Sequence, residues 1–210
     1  LEKAKKANEN GTFSNEITHI DIFHKKGKET IEKDEQPYKS DIKKIPKLKP
    51  AFRKNGTVTA ANSSSISDGA SSVMLMKQSE AERRNIKPLA RILNHATNSH
   101  EPKWFTTAPI GAIQKVLQKS DLKLTDIDLI EVNEAFAVVP MAVIKELSIS
   151  PEILNINGGA CALGHPVGAS GARIVTTLIN ALSKNGLKRG IASLCIGGGE
   201  ATAIALELLN

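Results

Sequence analysis

Two apolar runs near the end of the chain constrain its fold most strongly. Residues 190–196 and 202–208 are rich in Ile, Leu and Ala, and Gly197, Gly198 and Gly199 stand between them. Apolar runs of this length are typical of buried strands, and consecutive glycines permit a tight turn. The sequence therefore predicts two adjacent buried strands that a glycine turn joins.

Helix and strand patterns alternate between Pro88 and this turn. The spacing of apolar residues predicts short strands and helices: strands at 127–132 and 154–156, helices at 112–119 and 135–147, and a helix from a cap at Ser170 to Gly186. Pro140 should kink or break the helix that contains it. This alternation is typical of a layered α/β fold.

The first part of the chain is less regular. Residues 1–54 are polar and rich in lysine, and they are predicted to form an elaborate loop region. Residues 57–76 differ, because Asp68 is predicted to start a helix and the apolar residues 73–76 follow it. We expect the chain to enter a core there.

Composition narrows the classes of function. Hydrophobic residues make up 40% and charged residues 24%, as in an ordinary globular protein, whereas only 3% are aromatic, which indicates an aliphatic core. The net charge of +6 is concentrated between Lys43 and Lys54, where it can attract phosphates. Because aromatic stacking residues are scarce and no nucleic-acid-binding motif occurs, a solvated basic loop or a small-molecule phosphate site is favoured over nucleic acid. No stretch reaches the roughly 20 apolar residues that cross a bilayer, so no membrane partner is predicted.

The two cysteines and the first residues bear on metal binding, on the redox compartment and on where the chain starts. Cys161 and Cys195 stand in apolar surroundings without a CxxC spacing or a His/Cys cluster, so no structural metal is predicted and a reducing compartment is favoured. The chain begins at Leu1, in a helical pattern and without Met, so we expect an internal start.

His165 stands in a glycine-rich loop, residues 158–171, between Gly164 and Pro166. Small neighbours and a fixed backbone suit an imidazole that acts as a general base, and the glycines allow close approach of a ligand. A loop histidine packed beside a turn is the alternative. The loop matches neither GxxxxGK[ST] nor a GxGxxG directly after a long strand, so a nucleotide-binding fold is rejected.

Cys195 and Asn133 stand at predicted strand ends. Cys195 lies just before glycine N–H groups that can bind an oxyanion, the alternative being a small buried hydrophobic residue. Asn133 stands at a strand-to-helix junction, where side chains of α/β folds reach a site, the alternative being a helix cap. Together with His165, these residues supply the acid, base and polar group of acyl chemistry, so an enzyme is predicted.

Four segments resemble sequence blocks of the thiolase family. They are Asn133-Glu-Ala-Phe-Ala137, Asn157-Gly-Gly-Ala with Gly164-His-Pro-Val-Gly-Ala-Ser-Gly171, Cys195-Ile-Gly-Gly-Gly199, and residues 57–70. The resemblance covers essentially this whole chain but not a whole thiolase. It implies an α/β thiolase fold, layered αβαβα, of which this chain is the C-terminal half plus part of the loop domain. Residues 1–66 would be the remainder of the loop domain, 67–87 the closing segment of the N-terminal domain, and 88–210 the C-terminal domain.

The resemblance also implies a mechanism of acyl transfer to and from coenzyme A. The acylated cysteine of the family belongs to a block that neither cysteine here occupies, so this chain alone should be inactive. His165 would activate that absent thiolate, and Cys195 would move a proton of the methyl group of a second acetyl-CoA. Asn133 would hold a water that, with His165, stabilises one oxyanion, and the N–H of Gly197 would serve a second oxyanion hole.

Within these blocks the sequence is more similar to that of acetoacetyl-CoA thiolases than to that of long-chain enzymes. Among acetoacetyl-CoA thiolases it most resembles the mitochondrial potassium-dependent type. The resemblance implies acetyl-CoA and acetoacetyl-CoA as substrates, no covalently bound cofactor, a homotetramer, and the mitochondrial matrix, with the cytoplasm as the alternative. Ser64 would contact coenzyme A, and Lys39, Asp41 and Lys44 would border its nucleotide end. A potassium ion would be held by the main-chain carbonyls of Ala60, Ala61, Ser63 and Cys161.

Two alternative functions stay open. One is the 3-ketoacyl-CoA thiolase of fatty-acid oxidation, which a comparison of acetoacetyl-CoA with a long 3-ketoacyl-CoA would distinguish. The other is a non-catalytic thiolase-fold protein that binds lipid or coenzyme A. An upstream cysteine block in the coding sequence would exclude it.

Overall fold

Helices and strands alternate along most of the chain. The computed structural model describes residues 1–209, with short 3-10 helices at Ile42–Lys47, Pro102–Thr107, Leu124–Asp126 and Pro151–Ile153. The strands are β1 (Ile20–His24), β2 (Gly27–Ile31), β3 (Ala90–Ser99), β4 (Leu129–Val132), β5 (Arg189–Ile196) and β6 (Glu200–Leu208). The α-helices are α1 (Glu2–Glu9), α2 (Gln36–Lys39), α3 (Gln78–Arg83), α4 (Ala108–Lys119), α5 (Val138–Leu147), α6 (Ala160–Leu163) and α7 (Ser170–Lys184).

A four-stranded sheet with the order β3-β6-β5-β4 forms the centre of the fold. β6 runs antiparallel to both of its neighbours, whereas β4 and β5 are parallel. β5 and β6 are the two apolar runs, and the pairing of Ile196 with Glu200 closes the glycine turn, so this prediction is confirmed. Because β4 and β5 are parallel neighbours, their carboxyl ends lie at the same end of the sheet.

Helices cover both faces of this sheet. Val116 of α4 and Val143 of α5 pack on one face against strand residues such as Ala203, and Leu178 and Leu182 of α7 pack on the other. Full burial of one such leucine stabilises the fold by about 1.5–3 kcal/mol. The largest fully buried side chains are mainly Ile, Leu and Val. The predictions of a layered α/β fold and of an aliphatic core are both confirmed.

Some elements differ from the predictions. α5 begins at Val138 and contains Pro140 in its first turn, where a missing N–H needs no helical partner, so the proline does not break the helix. Leu154 makes only an isolated bridge with Ile130, and no strand forms at 154–156. β3 was not predicted, because it is a polar strand at the edge of the sheet, with neither an apolar run nor a regular alternation.

The segment between the loop region and α3 is also different. No helix begins at Asp68, and Met74 and Leu75 are 81% and 71% exposed, so the predicted entry into a core is wrong. An apolar side chain is buried only where another element packs on it, and among residues 1–209 none covers these two. The segment is held instead through its backbone, since Ser64 N–H donates to Ala135 O and Ser65 O accepts from His165 N–H.

The N-terminal region packs onto the C-terminal elements through α1 and the loop that follows it. Ala4 and Ala7 of α1 are buried. The Nδ2 of Asn180, on α7, donates to Thr12 O at 2.9 Å, and Lys3 Nζ donates to Leu154 O at 3.4 Å. Among residues 1–209, no helix has both the length and the apolar character needed to cross a membrane.

Candidate active site

Asn133 follows β4 at the carboxyl end of the sheet. It is 0% exposed, and its backbone N–H donates to Ser193 O of the parallel neighbour β5 at 2.9 Å. Cys195 lies two residues further along β5, so both side chains stand at the same end of the sheet. The strand order thus brings together two residues that are 62 positions apart in the sequence.

His165 contacts Asn133 directly. Its Nε2 lies 3.3 Å from Asn133 Nδ2, its Nδ1 lies 2.6 Å from Ser170 Oγ, and its backbone N–H donates to Ser65 O at 3.1 Å. Burial, and secondarily the positive charge of Arg173, lower the pKa of His165. The ring is therefore neutral at neutral pH, which is the form that accepts a proton.

Ser170 binds the histidine and does not cap a helix. The sequence predicted a cap, but α7 begins at Ser170 itself, Ala169 occupies the cap position, and no side chain caps the helix. Ser170 is 1% exposed, and its Oγ donates to Pro166 O at 3.1 Å. Its role was missed because a Ser before an amphipathic helix is most often a cap.

Arg173 and Glu131 were also missed. Arg173 Nη2 lies 3.5 Å from Asn133 Oδ1, and Nη1 lies 3.7 Å from Glu131 Oε2. Burial raises the pKa of Glu131 to about 8, although Arg173 opposes this shift. The available signal was an isolated acid in the apolar strand β4, since a buried carboxyl needs a partner.

Cys195 is buried near the end of β5, and the glycine turn follows it. Burial raises the pKa of its thiol, so the protonated form predominates at neutral pH. No hydrogen bond joins Cys195 to His165 in the part of the chain that the structure describes.

Within residues 1–209 the N–H of Gly197 has no hydrogen-bond partner, and a Cβ added to Gly197 would meet no atom within 4 Å. An open N–H at this point can donate to a ligand.

The glycines of the loop 158–171 mainly allow close packing of the chain on itself. A Cβ on Gly158, whose φ is +87°, would lie 2.8 Å from Ala4 Cβ, and a Cβ on Gly159 would overlap the Glu134 carboxylate. A Cβ on Gly164, with φ +96°, would overlap the Ser67 hydroxyl. The sequence suggested approach of a ligand, whereas these three glycines accommodate neighbouring segments.

Glu134 and Ser64 connect three sequence blocks. The Glu134 carboxylate accepts from the Cys161 backbone N–H at 3.1 Å and from Asn155 Nδ2 at 3.2 Å. The Ser64 hydroxyl donates to Ala135 O at 2.9 Å. These bonds hold the block around Asn133 against the glycine loop on one side and against the segment that contains Ser64 on the other.

A cavity of about 480 Å³ lies beside these blocks. Most of the residues predicted to hold coenzyme A or potassium line it, namely Lys39, Asp41, Lys44, Ala60, Ala61 and Cys161. Ser63 and Ser64 do not line it. Burial, together with Glu134, raises the pKa of Cys161 to about 12, so this thiol is unreactive. Within residues 1–209, no cluster of three or more His, Cys, Asp or Glu side chains suits a metal ion.

Family models match both parts of the chain. The model described as "Thiolase, C-terminal domain" matches residues 86–208, and that described as "Thiolase, N-terminal domain" matches residues 1–79. A "Probable acetyl-CoA acetyltransferase" of Dictyostelium discoideum is 50% identical over 208 residues, which are 99% of this chain and 50% of that protein.

Solved structures of similar proteins have the same fold. The acetyl-CoA acetyltransferase of Bacillus anthracis matches with a TM-score of 0.93 and 43% identity, over 99% of this chain and 53% of that one. Human mitochondrial 3-ketoacyl-CoA thiolase matches with a TM-score of 0.92 and 38% identity, over 99% and 53% of the two chains. The expected thiolase fold is confirmed, and the chain spans about half the length of the relatives that it matches.

Proposed function

Because the chain belongs to the thiolase family, we propose that the protein containing it is an acetyl-CoA C-acetyltransferase. It condenses two acetyl-CoA molecules to acetoacetyl-CoA and coenzyme A, and it catalyses the reverse thiolysis. The observation that carries this proposal is the contact of His165 with Asn133 at the end of the sheet where Cys195 also lies. The names of the Dictyostelium and Bacillus relatives support the choice of substrate.

Each of these residues has a proposed step. His165, neutral and unprotonated at one ring nitrogen, takes the proton of the nucleophilic cysteine thiol, and the resulting thiolate attacks the thioester carbonyl to release coenzyme A. Cys195 acts as a thiolate when it takes the α-proton of the second acetyl-CoA during condensation. During thiolysis its thiol, which the raised pKa keeps protonated, returns a proton. Asn133, through a water, and the N–H of Gly197 stabilise the thioester oxyanions.

The basic test compares two histidine variants of the intact protein. His165→Asn should lower the rate of acetoacetyl-CoA thiolysis by about 10²–10⁴-fold, because general-base catalysis contributes on that order. His95→Asn is the control, since His95 is exposed on β3 at the far edge of the sheet. Full activity of His165→Asn would refute the assignment, and inactivity of the unmodified protein would favour a non-catalytic member of the family.

The nucleophile is proposed to lie in the family block that neither Cys161 nor Cys195 occupies. The 210 residues alone should therefore form no acyl-enzyme and show no thiolysis. Incubation with radiolabelled acetyl-CoA tests this, since the intact protein should retain label after denaturation whereas the 210-residue chain should not. Stable labelling of the isolated chain would contradict the proposed division of labour.

We infer that coenzyme A binds with its nucleotide end at the cavity that Lys39, Asp41 and Lys44 line. The ammonium groups attract its phosphates, and Ser64 contacts the ligand further along. Lys44→Glu should raise KM for acetyl-CoA and leave kcat nearly unchanged, because it affects binding alone. Lys25→Glu, in the exposed turn between β1 and β2, is the matched control. A larger effect at Lys25 would refute the location.

A potassium ion is proposed at the main-chain carbonyls of Ala60, Ala61, Ser63 and Cys161. Three of these four residues, Ala60, Ala61 and Cys161, line the cavity, which supports this site. Activity of the intact protein should be higher in potassium chloride than in sodium chloride or choline chloride at equal ionic strength. Equal activity in all three salts would exclude a functional potassium site.

The remaining proposals rest on the family resemblance. They are the division at residues 1–66, 67–87 and 88–210, a homotetramer, and the mitochondrial matrix, with the cytoplasm as the alternative. Sedimentation of the intact protein tests the tetramer, and microscopy of a tagged full-length protein tests the compartment. A dimer, or diffuse cytoplasmic fluorescence, would refute the respective proposal.

A second candidate function is that of a 3-ketoacyl-CoA thiolase, which the similarity to the human mitochondrial enzyme favours. The two candidates share the proposed chemistry and differ in the length of the acyl chain. The ratio of kcat/KM for acetoacetyl-CoA to that for a long-chain 3-ketoacyl-CoA separates them. A ratio well below one would favour the second candidate.

A further inference from the structure

Four contacts form a continuous series through the candidate site. Arg173 Nη2 lies 3.5 Å from Asn133 Oδ1, and Asn133 Nδ2 lies 3.3 Å from His165 Nε2. His165 Nδ1 lies 2.6 Å from Ser170 Oγ, which in turn lies 3.1 Å from Pro166 O. This series of contacts thus runs from α7 through the end of β4 to the glycine loop and back to the start of α7.

The two ends of this series of contacts favour one direction for the hydrogen bonds within it. A guanidinium can only donate, and a backbone carbonyl can only accept. Arg173 therefore requires the oxygen of the Asn133 amide on its side, which turns the amide NH₂ toward His165. Pro166 O also accepts from the backbone N–H groups of Ala169 and Ser170. When Ser170 Oγ donates to the same oxygen, at 3.1 Å, it accepts from His165 Nδ1–H. The Nε2 of His165 is then left unprotonated.

We propose that Arg173 and Ser170 are positioning residues, which hold Asn133 in one amide orientation and His165 in the tautomer with an unprotonated Nε2. This rests on the proposed function, in which Nε2 is the base. Neither residue needs to touch the substrate. Their effect is to keep a lone pair on the basic nitrogen and an N–H donor of Asn133 in the same place.

The charge of Arg173 acts on carboxyl groups of the elements around it. Glu131 and Asn133 stand two residues apart in the sequence, at the end of β4, and Arg173 reaches both of them across the interface with α7. The positive charge of Arg173 also opposes the rise in pKa that burial gives Asp34 and Glu16 of the N-terminal loops. Burial raises the pKa of Glu16 to about 7 and that of Glu131 to about 8. Arg173 therefore provides the fixed charge around which these groups are arranged.

Loss of Arg173 would permit the reverse arrangement. The Asn133 amide could then turn its oxygen toward His165, and Nε2 would carry the proton, while Ser170 would donate to Nδ1 and leave Pro166 O. In that tautomer the nitrogen beside Asn133 has no lone pair. The side chains would remain in place, but the base would be lost.

The experiment measures the tautomer of His165 and the kinetics in the same variants of the intact protein. Nitrogen-15 chemical shifts of the imidazole should show an unprotonated Nε2 in the unmodified protein and in Arg173→Lys, and a protonated Nε2 in Arg173→Leu. kcat should fall by about 10–100-fold in Arg173→Leu with little change in KM, the scale known for residues that orient metal-ligating histidines, and Arg173→Lys should restore part of it. Arg83→Leu, an exposed change on α3, is the control.

The pH profile gives a separate readout. Because the charge of Arg173 lowers the pKa of His165, Arg173→Leu should move the acidic limb of kcat/KM to higher pH, and Arg173→Lys should not. Ser170→Ala keeps the charge and should lower kcat without that shift, and it also serves if Arg173→Leu does not fold. An unchanged tautomer together with an unchanged pH profile would overturn the proposal. Absence of activity in the unmodified protein would refute the proposed function alone, because the tautomer is measured without turnover.

Discussion

Replacing Gly199 with alanine should disturb the turn that follows Cys195, whereas the same change at Gly197 should not destabilise the protein. Gly199 has a φ of +102°, and a Cβ there would overlap the carbonyl oxygen of His100 and lie 3.1 Å from Pro102 Cα. Its backbone also bonds on both sides, to Ile196 O and from His100 N–H. Gly197 has neither a positive φ nor an atom within 4 Å of an added Cβ.

The expected magnitudes differ clearly. An L-residue held at a sparsely populated φ costs about 1–3 kcal/mol, and relief of the overlap with His100 would add to this. For a folding unit of about 200 residues, this free energy lowers Tm by roughly 2–12 °C. Gly197→Ala should stay within about 0.5 kcal/mol of the unmodified protein, as most changes at unstrained surface positions do.

Thermal unfolding of the two variants of the intact protein, followed by circular dichroism, measures the difference. Hydrogen exchange at the β5 and β6 amides would show whether the loss is local to the turn. Equal Tm values for the two variants would refute the reasoning, because Gly199, unlike Gly197, combines a positive φ with a close backbone neighbour. So would a larger loss at Gly197.

Three further predictions address the site, the end of strand β6 and the core. Cys195→Ser should still become acetylated by acetyl-CoA but should not form acetoacetyl-CoA, since a hydroxyl is a poorer acid–base group; loss of acetylation, measured by mass spectrometry, would contradict this. Arg189 and Arg91 lower the pKa of Glu207. The stabilisation that Glu207 gives should therefore be present above a pH of about 4.3 and should fade as the pH falls further. Urea unfolding of Glu207→Gln from pH 7 to pH 3 would test this. Leu178→Ala, at a 0% exposed position, should cost about 2–5 kcal/mol in the same measurement, and a cost below about 1 kcal/mol would place Leu178 outside the core.

Local patterns predicted much of the C-terminal fold. The strands β5 and β6 and the helix α7 followed from apolar runs, from glycines and from helical spacing, which depend on neighbouring residues only. β3 escaped prediction because its position at the sheet edge depends on pairing with β6. The predicted burial of residues 73–76 was wrong for the same reason, because an apolar segment does not specify which element covers it.

The sequence alone identified the family and singled out His165, Cys195 and Asn133 as candidates, because their blocks are recognisable wherever the chain places them. The tertiary structure decided which side chains meet. Asn133 lies 32 positions from His165 and 40 from Arg173, and Ser170, which the sequence predicts to cap a helix, contacts the imidazole instead. Hydrogen bonds act over about 3 Å, so only the packing of α7 and the glycine loop against the end of β4 determines these partners.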